Sequence, residues 1–256
     1  MKNKNALKRV EELRKETYPY EMEQMGTRLI IEKNVYPTSE IAEHLIKSMN
    51  ILEKENITNK NILDYGTGCG FLAIQAAKKG AEVIALDKNP YAIECARKNA
   101  ERNHVKVEFR LSDCLSAIKD EKFDIILAGM PWDNDIPDNY IEMALFDKNG
   151  EMKETLFKNA NKLLNKNGYI LMTYAKFMMD FQPIKDLIGS NIEYEIVSRP
   201  IIDQDEHYII KLWNKEAWKL DVYKKLLLIK STRYCIIRKV RKLHGGVLGF
   251  DIILEG

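Results

Sequence analysis

The most specific chemical signature in the chain is Ile62-Leu63-Asp64-Tyr65-Gly66-Thr67-Gly68-Cys69-Gly70, an apolar run that ends in an acid and turns through three alternate glycines. Glycine lacks the Cβ that would hold a ligand off the main chain and it accepts positive φ, so such a turn can lie flat beneath an extended ligand. At the carboxyl edge of a parallel sheet, this is where doubly wound folds bind. The spacing departs from the dinucleotide pattern G-x-G-x-x-G, because the third glycine comes one residue early and Phe71 stands in its place. Asp64 would repel a pyrophosphate and suits a cationic amino group. Asp87 ends a second apolar run, 21 residues after Gly66, where a carboxylate can accept both hydroxyls of a ribose. Asp113-Cys114 follow a third run, where an Asp side chain and neighbouring N–H groups could meet an adenine edge. Together these residues point to a nucleoside-bearing ligand.

A second cluster is Gly129-Met130-Pro131-Trp132, a rigid turn with an aromatic that could stack on a flat or cationic group, or simply pack. Asp133, Asn134 and Asp135 follow it, and could either meet an amino group or form a solvated loop.

The order D-Y-G-T-G-C-G, Asp87, Asp113 resembles the class I S-adenosylmethionine-dependent methyltransferases, over roughly residues 35–213. The resemblance implies an α/β fold: a doubly wound, mostly parallel seven-stranded sheet with helices on both faces and an antiparallel last strand. It implies S-adenosyl-L-methionine as cofactor and no metal. Asp64 would lie near the methionine amino group, with Tyr65, Gly66, Thr67, Gly68 and Gly70 beneath the cofactor. Asp87 and its neighbour Lys88 would lie at the ribose, and Asp113 and Cys114 at the adenine. The Gly129–Trp132 turn stands where a subset of the family has an N-P-P-Y type motif and methylates planar nitrogens, either glutamine amides or exocyclic amines of adenine and guanine. Val35-Tyr36-Pro37-Thr38-Ser39-Glu40 resembles the substrate-side lead-in of the glutamine-methylating branch. The candidate catalytic side is therefore Tyr36, Gly129, Met130, Pro131 and Trp132. Gly129 replaces the Asn whose amide would hold the nitrogen's proton, and Met130 replaces a proline.

The elements that must position these residues alternate regularly. Strands are expected at 61–64, 82–87, 105–111, 123–128 and 169–174, with helices at 71–79, 90–103 and 151–164, the last stopped by Gly168. A helix near 176–188 and strands near 192–197 and 207–213 complete the pattern. The continuous apolar runs FDIILA and GYILMTY suit central strands buried on both faces. Before this unit, Leu7, Val10 and Leu13 mark an amphipathic docking helix, an irregular stretch follows, and a helix at 39–52 starts from Pro37-Thr38-Ser39, whose hydroxyls suit an N-cap. The expected organisation is an N-terminal helical lid (1–58) carrying Tyr36, a catalytic domain (59–213), and a C-terminal extension (214–256) that packs on the core. Residues 215–242 of that extension hold ten Lys or Arg and two acids.

Composition narrows the function classes. The chain has 256 residues, is 45% hydrophobic, and sets 40 Lys plus Arg against 38 Asp plus Glu, so bulk charge does not select a polyanionic partner. Cys69, Cys95, Cys114 and Cys235 form no C-x-x-C pair, and His44, His104, His207 and His244 fall in no recognised base motif. The thiols are expected to be reduced, in a cytoplasmic protein with no membrane span. The expected activity is methyl transfer to nitrogen or oxygen of a small-molecule or peptide acceptor by in-line displacement. Rival readings are an NAD-dependent oxidoreductase, an enzyme or binding module acting on RNA or DNA through the basic extension, and an enzyme that cyclises or transfers the aminobutyryl arm of S-adenosylmethionine. Oligomeric state is left open.

Overall fold

Alternation along the strands decides the layering. In β3 (Asn61–Tyr65), Ile62 packs on one face of the sheet and Leu63 and Tyr65 on the other; in β6 (Phe123–Ala128), Ile125 and Leu127 oppose Ile126 and Ala128. Both faces are therefore covered, as the apolar runs require. The computed structural model describes residues 2, 4–54, 56–131, 133–175, 191–202, 205–214, 236–242 and 248–253. The chain divides into two compact units, Met1–Asn214 and Lys215–Gly256.

The first unit holds the sheet in the order β5 (Glu108–Leu111), β4 (Glu82–Asp87), β3, β6, β7 (Leu164–Ala175), β10 (Asp205–Asn214), β8 (Ile192–Ser198). Pairing is parallel from β5 to β7, and β10 runs antiparallel to both of its neighbours. The short β9 (Ile201–Ile202) pairs with β10. Helices α2 (Glu40–Leu52), α3 (Phe71–Lys78) and α4 (Pro90–Arg102) cover one face, and α5 (Glu151–Leu163) packs on the other through Leu156, Phe157 and Ala160. Among the described residues no helix is long and apolar enough to cross a membrane. In the second unit, β11 (Ile236–Lys242) and β12 (Leu248–Ile253) form an antiparallel pair.

The doubly wound, mostly parallel fold with an antiparallel strand is thus as expected, and several local expectations are corrected. Residues 20–31 are not irregular: β1 (Tyr20–Gln24) and β2 (Thr27–Ile31) form a hairpin, turning through Met25 and Gly26, both at positive φ. Such a two-residue turn usually advertises itself by Asn-Gly or Asp-Gly; Met-Gly conceals it. Gly168 does not stop a helix. α5 ends at Leu163, and Gly168 lies inside β7 beside a register shift, where a Cβ would come within 2.7 Å of the Phe123 carbonyl oxygen. Ser39 precedes α2 but its hydroxyl makes no cap bond, whereas Asn89 caps α4 by accepting from the Tyr91 N–H. The expected helix at 176–188, Trp132, Cys235, His244 and the segment 215–235 lie outside the described residues.

The hairpin is tied to the sheet by Asn99 of α4, whose side chain is fully buried. Its Oδ1 accepts from the Ile30 N–H at 2.7 Å, and its Nδ2 donates to the carbonyls of Ile30 at 3.0 Å and Cys69 at 2.9 Å. One amide thereby joins the edge strand, α4 and the glycine loop. Asn99→Ala should lower stability by about 2–4 kcal/mol, because it leaves buried donors and acceptors unpaired; a denaturant midpoint unchanged from wild type would contradict this.

Candidate functional site

The glycine loop leaves β3 still paired to β4: the N–H groups of Gly66 and Thr67 both donate to the Leu86 carbonyl, at 3.0 and 2.8 Å. Gly66, Gly68 and Gly70 all adopt positive φ, from +54° to +89°. Two carboxylates brace this conformation. Asp87 accepts from the Gly68 N–H at 2.8 Å and from the Asn89 N–H at 2.8 Å. Asp64 Oδ2 accepts from the Thr67 hydroxyl at 2.7 Å and from the Ala73 N–H at 3.1 Å. Burial pushes both carboxyls upward against these bonds, Asp64 to about 7. Asp64 Oδ1 has no hydrogen-bond partner.

Beside the loop lies a cavity of about 390 Å³. Its wall includes Gly66, Thr67, Gly68, Asp87, Lys88, Asp113 and Cys114, and also Tyr36, Thr38, Gly129, Met130, Pro131 and Thr173, with Tyr65 and Met152. The Tyr36 carbonyl stands 3.8 Å from where a Cβ on Gly68 would be. The residues read as cofactor-facing are therefore gathered at one cavity, with two exceptions. Asp64 is fully enclosed behind the loop and braces it. Gly70 begins α3, and a Cβ there would come within 2.9 Å of Ala96 Cβ, so its bareness serves the approach of α3 to α4. Lys88 and Asp113 pair across the sheet edge at 2.8 Å, both half-exposed. The loop bearing Asp113 and Cys114 is closed by the Ser112 hydroxyl, which donates to the Cys114 carbonyl at 2.8 Å and accepts from the Ala117 N–H at 3.0 Å.

A further part of the wall is built from residues 129–131 and 133–150. Asp133 and Phe146 form a bridge, with the Asp133 N–H donating to Leu145 O at 2.9 Å and the Asp147 N–H to Asp133 O at 2.6 Å, so the segment closes on itself. Helix α1 (Lys4–Arg14) docks on its outer side: Ala6, Val10 and Leu13 pack on Ile141, Leu145 and Phe146. Lys2 Nζ bonds Glu142 at 2.6 Å and Asp138 at 2.8 Å, and Arg9 hydrogen-bonds Tyr36. Burial raises the Glu142 carboxyl, but the bonds from Lys2 and the Asp138 N–H outweigh it and hold the group below its ordinary value. Within the 133–135 loop it is the amide of Asn134, not an acid, that receives an amino group of this chain: Lys153, buried on α5, donates to Asn134 Oδ1 at 2.8 Å. Burial lowers the Lys153 ammonium. His207 is buried on β10 and is not part of the cavity wall.

Three contributors carried no sequence motif. Thr173 of β7 is buried at the cavity wall and its Oγ1 accepts from the Met130 N–H at 3.1 Å. Met152 receives the Tyr65 hydroxyl on its carbonyl at 3.1 Å and brings its methyl to 2.8 Å from where a Cβ on Gly66 would stand. Tyr140 meets Tyr91 of α4 edge to face, with ring centroids 5.0 Å apart. Thr173 had one usable signal, its position at the end of the strand beside the Gly129 turn.

Because folding raises the Asp64 carboxyl from its ordinary range to about 7, the folded state holds a proton there that the unfolded chain has already lost. Its contribution to stability is therefore full below about pH 4 and fades as pH rises to about 7. Relative to Asp64→Asn, wild type should lose roughly 2–4 kcal/mol over that window; parallel stability–pH curves for the two proteins would show the carboxyl is not perturbed.

A family model described as a methyltransferase domain matches residues 57–226. A protein named "Putative protein N5-glutamine methyltransferase MJ0928", from Methanocaldococcus jannaschii, is 29% identical over 196 residues, covering 73% of this chain and 96% of its own length. A ribosomal protein L11 methyltransferase from Burkholderia vietnamiensis is 46% identical over 83 residues, which span only 27% of that relative. Among solved structures, the T. thermophilus 16S rRNA N2 methyltransferase RsmC, in complex with AdoMet and guanosine, superposes with a TM-score of 0.58 at 17% identity, covering 77% of this chain and 50% of its own. The motif, the strand order and the family match agree: the chain belongs to the S-adenosylmethionine-dependent methyltransferases of class I.

Proposed function

We propose that this protein transfers a methyl group from S-adenosylmethionine to the side-chain amide nitrogen of a glutamine in a protein acceptor, in the cytoplasm. The observation that carries this reading is one continuous cavity, which joins the glycine loop and Asp87 to the Gly129–Pro131 turn and is lined at that turn by the neutral side chain of Thr173. A neutral wall favours an uncharged planar group over an ammonium, whose burial would call for a counter-charge. The relative whose length is matched almost throughout bears a glutamine methyltransferase name, which supports the same choice.

The residues present fit the cofactor. Gly66 and Gly68 offer bare backbone at positive φ, and Asp87 has acceptor capacity left beyond its N–H partners for ribose hydroxyls. Lys88, Asp113 and Cys114 would flank the base. Asp64, enclosed behind the loop with no partner for its Oδ1 among the described residues, braces the floor from below. The cofactor supplies an activated methyl on a sulfonium, so the protein's work is positional. The glycine loop and Asp87 fix one reactant. The closed segment 133–147, with Leu145 and Phe146 at the wall, excludes water and holds the acceptor side rigid, so that the nitrogen meets the methyl at a productive distance and angle. Tyr36, linked to Arg9, couples this wall to α1. Gly129, Met130 and Pro131 present the acceptor to the end of β6.

Asp87→Ala should weaken S-adenosylmethionine binding by at least about tenfold in calorimetry, since bonds to an ionised acceptor are lost; undiminished affinity would remove Asp87 from the site. For the acceptor, the purified protein is incubated with methyl-labelled S-adenosylmethionine, glutamine-containing peptides, cell protein and RNA. Label in protein or peptide, release of methylamine on acid hydrolysis, and S-adenosylhomocysteine as co-product are the expected results. Label confined to RNA, or methylthioadenosine as the product, would overturn the proposal.

A further inference from the structure

We infer that Thr173 is the positioning residue that selects an acceptor bearing a carbonyl oxygen beside the methylated nitrogen, by donating its hydroxyl hydrogen to that oxygen. The inference rests on the amide reading above. Thr173 is only 6% exposed, yet it lines the cavity. Parallel pairing of Ala128 with Met172 sets Thr173 next to Gly129, at the start of the turn where the acceptor is presented. Its oxygen accepts from the Met130 N–H at 3.1 Å, and that is its one hydrogen bond among the described residues. A hydroxyl both accepts and donates, so with the oxygen engaged by Met130 the hydrogen is oriented away from that N–H and is left without an acceptor.

A buried donor without an acceptor is costly, and the cavity is where an acceptor can arrive. The carboxylates of the wall are engaged elsewhere. Asp87 braces the glycine loop, Asp147 accepts from the N–H groups of Met152 and Lys153 at the start of α5, Asp113 pairs with Lys88, and Glu151 lies toward Lys88 and Cys114. Thr38 also lines the cavity, on the side of Cys69, and its buried Oγ1 has no partner among the described residues. The Thr173 hydroxyl matches the carbonyl of a carboxamide. It does not match an ammonium, which offers no acceptor for its hydrogen. At this turn Gly129 brings no side chain of its own, so orientation of the amide plane falls to the strand beside it.

The test pairs protein and ligand changes. Wild type, Thr173→Val and Thr173→Ser, each saturated with S-adenosylhomocysteine, are titrated with a glutamine peptide and with the same peptide carrying a side-chain thioamide, whose sulfur is a poor acceptor. Methyl transfer to both peptides is followed in parallel. Wild type should prefer the amide in binding and in kcat/KM by about tenfold or more, Thr173→Val should lose that preference, and Thr173→Ser should restore it. A role only in holding Met130 would weaken both peptides equally in Thr173→Val and leave their ratio unchanged, which overturns the inference while the amide reading stands. If wild type neither binds nor methylates the glutamine peptide, the amide reading falls and takes this inference with it.

Discussion

Everything in the site depends on a stretch of main chain in which every second residue has no side chain. Three alternate glycines at positive φ give the loop after β3 its bare surface, and only Thr67 and Cys69 between them reach inward to hold it. Hydrogen bonds from outside the loop supply the missing restraint. Asp87 reaches across from the end of β4 to the Gly68 N–H, Asp64 holds Thr67 and the first turn of α3, and Asn99 holds the Cys69 carbonyl from α4. Each brace comes from an element already fixed by parallel pairing or by the core, so the loop inherits the rigidity of the sheet.

The braces carry an electrostatic consequence. The buried carboxyl of Asp64 and the partly buried one of Asp87 lie within one loop of each other, and desolvation raises both against the hydrogen bonds that favour their charge. The arrangement costs stability in the folded protein. The opposite wall follows another rule. Its carboxylates and ammonium groups are consumed internally, Glu142 by Lys2 and Asp147 by the start of α5, while Lys153 rests on Asn134. The Thr173 hydroxyl, at the Gly129 turn, is left facing the cavity.

The N-terminal residues belong to this design. Helix α1 covers the outside of the segment that forms the acceptor wall, with an apolar stripe on Ile141, Leu145 and Phe146 and ion pairs at its start. Its contact with Tyr36 links the same helix to the lead-in of α2. The hairpin β1–β2 packs behind the glycine loop and is joined to it through Asn99, so both parts of the first fifty residues act on the cavity from behind its walls.

The sequence by itself determined the sheet and the cofactor side of the site, because both are written in local signals. The period-2 and period-3.6 patterns placed β3, β4, β6 and α3 to α5 within a few residues, and glycine spacing with acids at two strand ends is a signature that survives without neighbours. What lay between the signals was decided by tertiary structure. The hairpin lacked turn residues of the usual type. Gly168 read as a helix stop, though close packing against Phe123 gives it a place inside a strand. Asp64 and Gly70 share the motif with Gly66 and Gly68 but stand behind the surface, since Asp64 still belongs to β3 and bonds the first turn of α3, and Gly70 already opens α3 where it packs on Ala96. Thr173 looks like any residue of a buried strand. Only pairing with β6 brings its hydroxyl to Met130 and to the cavity, and register between strands distant in sequence is a property that no local pattern encodes.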